Sequence, residues 1–296
     1  MTIEHCTLCP RRCGARRGPD AGNGRCGMGA DAVVARAALH FWEEPCISGT
    51  RGSGAVFFTG CPLGCVTCQN YSISAEKAVG KRVSAKELSE IFRKLEEQGA
   101  HNINLVTPTH FVPAILEAIS IRKPSVPVVY NCGGYETVET LKLLEGAVDI
   151  YLPDFKYIEP ELAAALSDAP GYPEQAKAAV LEMVRQTGPA VYDEDGLLRR
   201  GTVVRHLILP GHTKNSVAVL EWLAKNLPEK VPVSLMAQYV PCGRASEFPP
   251  LGRVITKREY EKVQNRLFEL GLDGYVQERT SASRKYIPPF DLSGVS

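Results

Sequence analysis

Short apolar runs alternate with helical stripes along most of this 296-residue chain. From Ala55 onward the runs "AVFFT", "NINLVT" (102–107), "VPVVYN" (126–131), "VDIYLP" (148–153), "TVVRHLIL" (202–209) and "VPVSLMA" (231–237) predict six strands. The runs are continuous, which points to strands covered on both faces, as in a parallel sheet. The stretches between them carry helix start and stop signals. Ser84 and Glu87 make a capping box, Leu88, Ile91, Phe92 and Leu95 form one stripe, and Gly99 stops the helix. Thr256 and Glu259 repeat the box before Tyr260, Val263, Leu267 and Leu270. Residues 159–189 have room for two helices broken around "APGYPE". Strands separated by helices imply right-handed crossovers. Six such units fall two short of a closed eight-stranded barrel, so the expected fold is an α/β open partial (β/α)6 barrel over residues 51–280. Residues 1–50 show weak periodicity and read as a small Cys-rich, metal-stapled N-terminal extension, and residues 281–296 as a C-terminal tail.

Composition adds exclusions. A formal charge of +1 gives no global field to gather nucleic acid or anionic lipid, and the five arginines before residue 30 read as a solvated surface. No run approaches the ~20 apolar positions of a membrane span, and "MTIEHCTLCPRR" lacks the apolar core of a secretory signal. The expectation is a cytoplasmic protein with no nucleic-acid or membrane partner. In a reducing compartment ten cysteines point to metal or redox chemistry and away from disulfides. Soft thiolates select zinc, copper(I) or iron–sulfur clusters.

The cysteines fall into two main groups. Cys61, Cys65 and Cys68, in "CPLGCVTC", follow the first strand directly, at the sheet edge where ligands of parallel α/β folds gather. Three thiolates can hold three irons of a cubic cluster and leave the fourth open to an exogenous ligand. The alternative is a zinc knuckle with a distant fourth ligand. Cys6, Cys9, Cys13 and Cys26 precede every predicted strand. Four thiolates at that spacing would fill every position of zinc or of an electron-transfer cluster. The open triad is therefore the expected reactive centre.

Cys-x3-Cys-x2-Cys on the first β/α loop is similar to the signature of the radical S-adenosylmethionine (radical SAM) superfamily. More narrowly, residues 55–280 resemble proteins related to the activating enzyme of pyruvate formate-lyase. The resemblance implies a [4Fe-4S] cluster whose open iron takes the amino and carboxylate groups of SAM. An electron from a donor such as flavodoxin or ferredoxin would then give methionine and a 5′-deoxyadenosyl radical that abstracts hydrogen. "DFK" resembles an Asp-x-Lys pair, implying that Asp154 accepts from the SAM ribose and Lys156 pairs with its carboxylate. Residues two apart in an extended segment face one side, so both can reach one ligand. "RHLILPG" resembles an arginine element that places Arg205 near SAM or the cluster.

Two places depart from the pattern. A Gly-Gly-Glu-type turn is replaced by "TPTH", which makes Thr107 and Thr109 candidate acceptors for the SAM ammonium and His110 a candidate ligand or proton relay. An aspartate after the third strand is replaced by Asn131. Cys132 and Cys242 also lie just past strands, and Gln238 and Tyr239 stand where a polar SAM contact occurs. With no inserted ferredoxin-like domain, the chain would be a short form. The leading expectation is activation of a protein or peptide, admitted through the open side of the barrel. Direct transformation of a small molecule comes second. A non-catalytic iron–sulfur redox carrier comes third, and "DFK" leans against it.

Overall fold

The computed structural model of the chain describes residues 2–295. Its strands are β1 (Ala32–His40), β2 (Ser53–Phe58), β3 (Lys81–Val83), β4 (Ile103–Val106), β5 (Val128–Cys132), β6 (Ile150–Pro153), β7 (Val191–Tyr192), β8 (Leu198–Thr202), β9 (Val204–Leu207), β10 (Val233–Met236) and β11 (Gly274–Val276). One sheet runs in the order β3-β1-β2-β4-β5-β6-β8-β7, and a second in the order β9-β10-β11. The chain steps from one to the other at Val203. There the Val203 N–H donates to Tyr151 O at 3.0 Å and the Phe155 N–H to Arg205 O at 2.8 Å, so β6 stays hydrogen-bonded across the step. The result is a mostly parallel, curved sheet, an open partial barrel. The six expected strands are β2, β4, β5, β6, β9 and β10, and β11 adds a seventh, parallel to β10. Among the described residues no strand pairing returns from β11 to β1 or β2.

Every residue of β2, β4, β5, β6 and β10 is buried, which is why their sequences are continuous apolar runs. Helices Ala85–Glu97, Val112–Ile121, Tyr172–Thr187, Thr213–Asn226 and Lys257–Glu269 supply cover. Both capping boxes form, the Ser84 and Thr256 hydroxyls accepting from the N–H groups of Glu87 and Glu259. The long segment breaks as expected, into Pro160–Ser167 and Tyr172–Thr187, with Asp168 left-handed at φ 49° between them. Among the described residues no helix is long and apolar enough to cross a membrane.

Residues 1–50 do not stand apart from the sheet. β1 pairs antiparallel with both β2 and β3, so the boundary read at residue 50 lies beyond a strand of the main sheet. "AVVARAALH" is rich in alanine, the best helix former, and pairing overrides that local preference. The next segment turns into the barrel. Cys46 and Ile47 pack against Val129, Ile150, Leu152, Leu198 and Val203 and plug the interior. Above this plug Asn104 of β4, Asn131 of β5, Arg205 of β9 and Asp154, just past β6, bring polar groups together inside the barrel.

The tail crosses the open side. Arg284 donates to Pro241 O at 2.9 Å, past β10, and the Tyr286 ring lies 4.8 Å from Trp42. Phe290 packs edge-on against Phe57 at 5.6 Å. Leu292 N–H then donates to Ala35 O at 3.0 Å and Ala37 N–H to Ser293 O at 2.8 Å. Gly294, at φ 71°, closes the contact, since a Cβ there would sit 1.9 Å from Ala37 O.

Candidate functional site

A cavity of about 1550 Å³, its solvent-facing part included, occupies the C-terminal mouth of the barrel. Cys61, Cys65 and Cys68 line it on one wall, and Thr107, Thr109, Asn131, Asp154, Lys156 and Arg205 line the others. Cys132, Gln238 and Tyr239 line it as well.

Each triad sulfur accepts from its own donor. The Leu63 N–H approaches Cys61 Sγ at 3.4 Å, the Ser167 hydroxyl Cys65 Sγ at 3.1 Å and the Ser74 hydroxyl Cys68 Sγ at 3.3 Å. Burial pushes the Cys61 thiol up to about 12, with Cys65 adding to the shift, and raises Cys68 for the same two reasons. Thiols this desolvated become good anions only when a cation binds them. Among the described residues no group of three or more His, Cys, Asp and Glu side chains already converges at metal-holding spacing. Three thiols on one loop, each with a hydrogen-bond donor and all facing one cavity, nevertheless match the donor set of an iron–sulfur cluster with an open position.

Arg205 is the hub of the opposite wall. Its guanidinium donates to Asp154 Oδ1 at 2.8 Å, Glu43 Oε2 at 2.8 Å and Asn131 Oδ1 at 2.6 Å. Asn131 Nδ2 and Asn104 Nδ2 both donate to Glu43 Oε1, at 3.1 Å and 3.3 Å. The amide of Asn131 thus does what a carboxylate could not, accepting from Arg205 while donating to Glu43. Lys156 Nζ meets Asp154 Oδ2 at 2.6 Å. Burial disfavours the Lys156 ammonium, but Asp154 and the Cys65 and Cys68 sulfurs outweigh it and raise its pKa. Burial likewise opposes the Asp154 carboxylate, and Arg205 and Lys156 hold it below its usual value. Glu44, buried 3.8 Å from Arg205, is raised by desolvation despite that neighbour.

"TPTH" behaves unlike the turn it replaces. Thr107 is left-handed at φ 60°, a strained state for a β-branched residue, costing about 1–3 kcal/mol. Its N–H donates to Asn131 O at 2.8 Å, which fixes the strained turn beside the cavity. Thr109 donates to Glu136 Oε1 at 2.8 Å. His110 corrects the expectation of a ligand or relay. It lies behind the cavity wall against Phe111, with Nε2 2.9 Å from Thr59 O, and burial lowers it to about 3. A ring held neutral there keeps one N–H, which Nε2 gives to the Thr59 carbonyl, and takes up no second proton near neutral pH. Cys242 likewise lies outside the cavity lining.

No spacing or motif pointed to Glu43, Ser74, Glu136 and Ser167. Glu43 and Glu44 belong to "FWEEP", inside the stretch read as an extension. Glu136 is buried, accepts from Thr109 and, at 3.1 Å, from the Tyr130 hydroxyl, and lines the cavity. Desolvation raises its carboxyl from 4.5 to about 7, against those two hydrogen bonds and one from Cys132. Between those values the unfolded chain binds fewer protons, so wild-type stability should fall as pH rises from 5 to 7, by about 2 kcal/mol. Glu136→Gln should remove this slope, read as anaerobic unfolding temperature at pH 5 and pH 8. Parallel profiles for the two proteins would show that Glu136 ionises normally.

Comparison with known proteins comes to the same region. The Radical SAM superfamily matches residues 55–223, more than half of the chain. An uncharacterized protein of Methanocaldococcus jannaschii is 30% identical over 280 residues, 92% of this chain and 76% of that one. Among solved structures, methylornithine synthase is similar at 17% identity with a TM-score of 0.48, over 72% of this chain and 63% of that one. SuiB of Streptococcus suis bound to S-adenosylmethionine is similar at 12% identity with a TM-score of 0.49, over 74% and 48%. The chain thus spans less than two thirds of either structure.

Proposed function

The chain belongs to the radical SAM superfamily, and from that premise we propose that it cleaves S-adenosylmethionine reductively and uses the resulting radical to abstract hydrogen from a substrate. The observation that carries this reading is the convergence of the triad and the Asp154–Lys156–Arg205–Asn131 network on one cavity. Cys61, Cys65 and Cys68 would hold a [4Fe-4S] cluster, which would supply the one-electron chemistry for reductive cleavage of the carbon–sulfur bond. The protein's residues do the rest. Lys156, beside Cys65 and Cys68, is placed to pair with the SAM carboxylate. Asp154 presents a carboxylate oxygen for the ribose hydroxyls. Glu43, Asp154 and Arg205 brace one another, so these polar groups are fixed before the ligand arrives.

The charge balance supports the choice of ligand. Glu43, Glu44, Asp154 and Glu136 face or flank the cavity against the two cations Arg205 and Lys156. Burial raises the Glu44 and Glu136 carboxyls, and a cationic group beside them would favour their ionised forms, which suits a ligand carrying both a sulfonium and an ammonium.

The tail favours a small molecule or short peptide as substrate over a folded activation partner. Tyr286 and Pro288 line the cavity and Phe290 packs on Phe57, so the open side, through which a protein loop would enter, is crossed by the chain itself. Covering the mouth also keeps water from the radical. The test is anaerobic. Reconstituted protein, given dithionite and SAM, should release 5′-deoxyadenosine and methionine, and their absence at full iron loading would overturn the proposal. A glycyl radical arising by electron paramagnetic resonance in a candidate partner protein would overturn the small-substrate reading and restore protein activation.

A further inference from the structure

Residues 2–30 are ordered without the usual means. Their regular structure amounts to the isolated bridges Ile3–Arg17 and Arg17–Gly22. Among the described residues, no member of the buried apolar clusters precedes Ala32, and Met28 packs only at the edge of one. A segment this short with no core of its own needs a staple. What it buries is thiol: Cys6, Cys9 and Cys26 are 6%, 9% and 8% exposed, and all three are free.

The local backbone brings the segments that carry these thiols together, although among the described residues no three of the sulfurs stand at metal-holding spacing. The Arg12 N–H donates to Cys9 O at 2.9 Å and the Gly14 N–H to Cys6 O at 3.1 Å. Arg12 and Gly14 flank Cys13 at φ 40° and 63°, so the chain doubles back after Cys9. The Cys13 sulfur lies against Gly24, two residues before Cys26, 3.1 Å from where a Cβ would stand.

A second, independent observation points to an anion at this place. Arg17 is fully buried. Its guanidinium donates to Met28 O at 3.1 Å and Gly29 O at 2.5 Å, and faces Cys6 Sγ at 3.6 Å. Among the described residues no carboxylate forms an ion pair with it. The Phe111 ring, 5.8 Å from the guanidinium carbon, adds a cation–π contact, but a buried guanidinium with no anionic partner remains unfavourable. Thiolates would supply the missing charge.

We propose that Cys6, Cys9, Cys13 and Cys26 bind one Zn²⁺ as a closed tetrathiolate site. Binding releases four thiol protons and leaves a site of net charge −2 beside Arg17, which offsets half of it. A closed site with no open position needs no redox metal, and a coreless segment gains its fold from such an ion. The site also has a mechanical consequence. Arg11, between Cys9 and Cys13, donates to Pro62 O at 3.0 Å, Leu63 O at 3.2 Å and Ser167 O at 2.8 Å. The stapled turn therefore grips both the loop that carries the triad and the residue that donates to Cys65.

The test removes the triad first. Protein with Cys61→Ala, Cys65→Ala and Cys68→Ala, purified from zinc-supplemented medium, should hold about one zinc per chain. Adding Cys9→Ala and Cys26→Ala should remove it. Cobalt in place of zinc should give the intense visible bands of a tetrahedral tetrathiolate. If the variants do not fold, the wild-type chain serves, with one zinc beyond its cluster iron, released to a chelating dye as thiols are modified. A metal-free triad variant, or iron with acid-labile sulfide in place of zinc, would overturn the proposal.

Discussion

Cys65→Ala should lower 5′-deoxyadenosine formation at least ~100-fold, beyond the ~10–100-fold typical of losing an outer partner of a metal site. The reason is positional. Cys65 is the middle ligand of the triad, and its sulfur receives the Ser167 hydroxyl at 3.1 Å. Ser167 is in turn gripped at its carbonyl by Arg11. Ser167→Ala is the graded control: it keeps all three thiols, so iron content should hold while the cluster potential shifts and activity falls ~10-fold or more. Iron, sulfide and product are measured on the same anaerobically reconstituted samples. Cleavage at the wild-type rate in the Cys65 variant would remove the triad from the chemistry.

Lys156→Ala should weaken SAM binding on the order of a hundredfold, the equivalent of roughly 2–4 kcal/mol for deleting one partner of a desolvated charge pair. Iron content should stay unchanged, because Lys156 holds Asp154 and, among the described residues, no sulfur takes a hydrogen bond from it. Asp154 keeps Arg205 at 2.8 Å, so the variant should still fold. Lys156→Arg keeps the charge and should recover part of the affinity. Equilibrium binding of SAM to the oxidised, reconstituted protein separates affinity from turnover. An unchanged dissociation constant would make the lysine a brace for Asp154 alone.

The legible parts of the fold and site were those set by local order. Continuous burial on both faces makes β2, β4, β5, β6 and β10 visible as apolar runs, and spacing alone exposes the triad. Asp154 and Lys156 could be singled out because they follow the run that forms β6, and Arg205 because it lies within the run that forms β9. The rest depends on contacts distant in sequence. β1 hides behind alanine, and its strand state comes from its partner. β11 is three residues long, too short to show a period. Glu43 matters only because the chain folds back into the barrel, bringing it within 2.8 Å of a residue 162 positions away. His110 was misread for the converse reason: its neighbours in sequence suggested a site, and burial against Phe111 and Thr59 gave it a place in the wall.

The strap formed by Tyr286 to Gly294 has a consequence for the order of assembly. It is synthesised after everything it covers. Its last anchor on β1 lies roughly 230 residues beyond Cys68, a delay on the order of 10–50 s at usual rates of translation. During that interval the loop carrying the triad has left the ribosome while its cover does not yet exist. A nascent chain therefore offers its thiols to iron delivery with the mouth of the barrel open, and the pairing of Leu292 and Ser293 with β1 shuts that door behind the cargo.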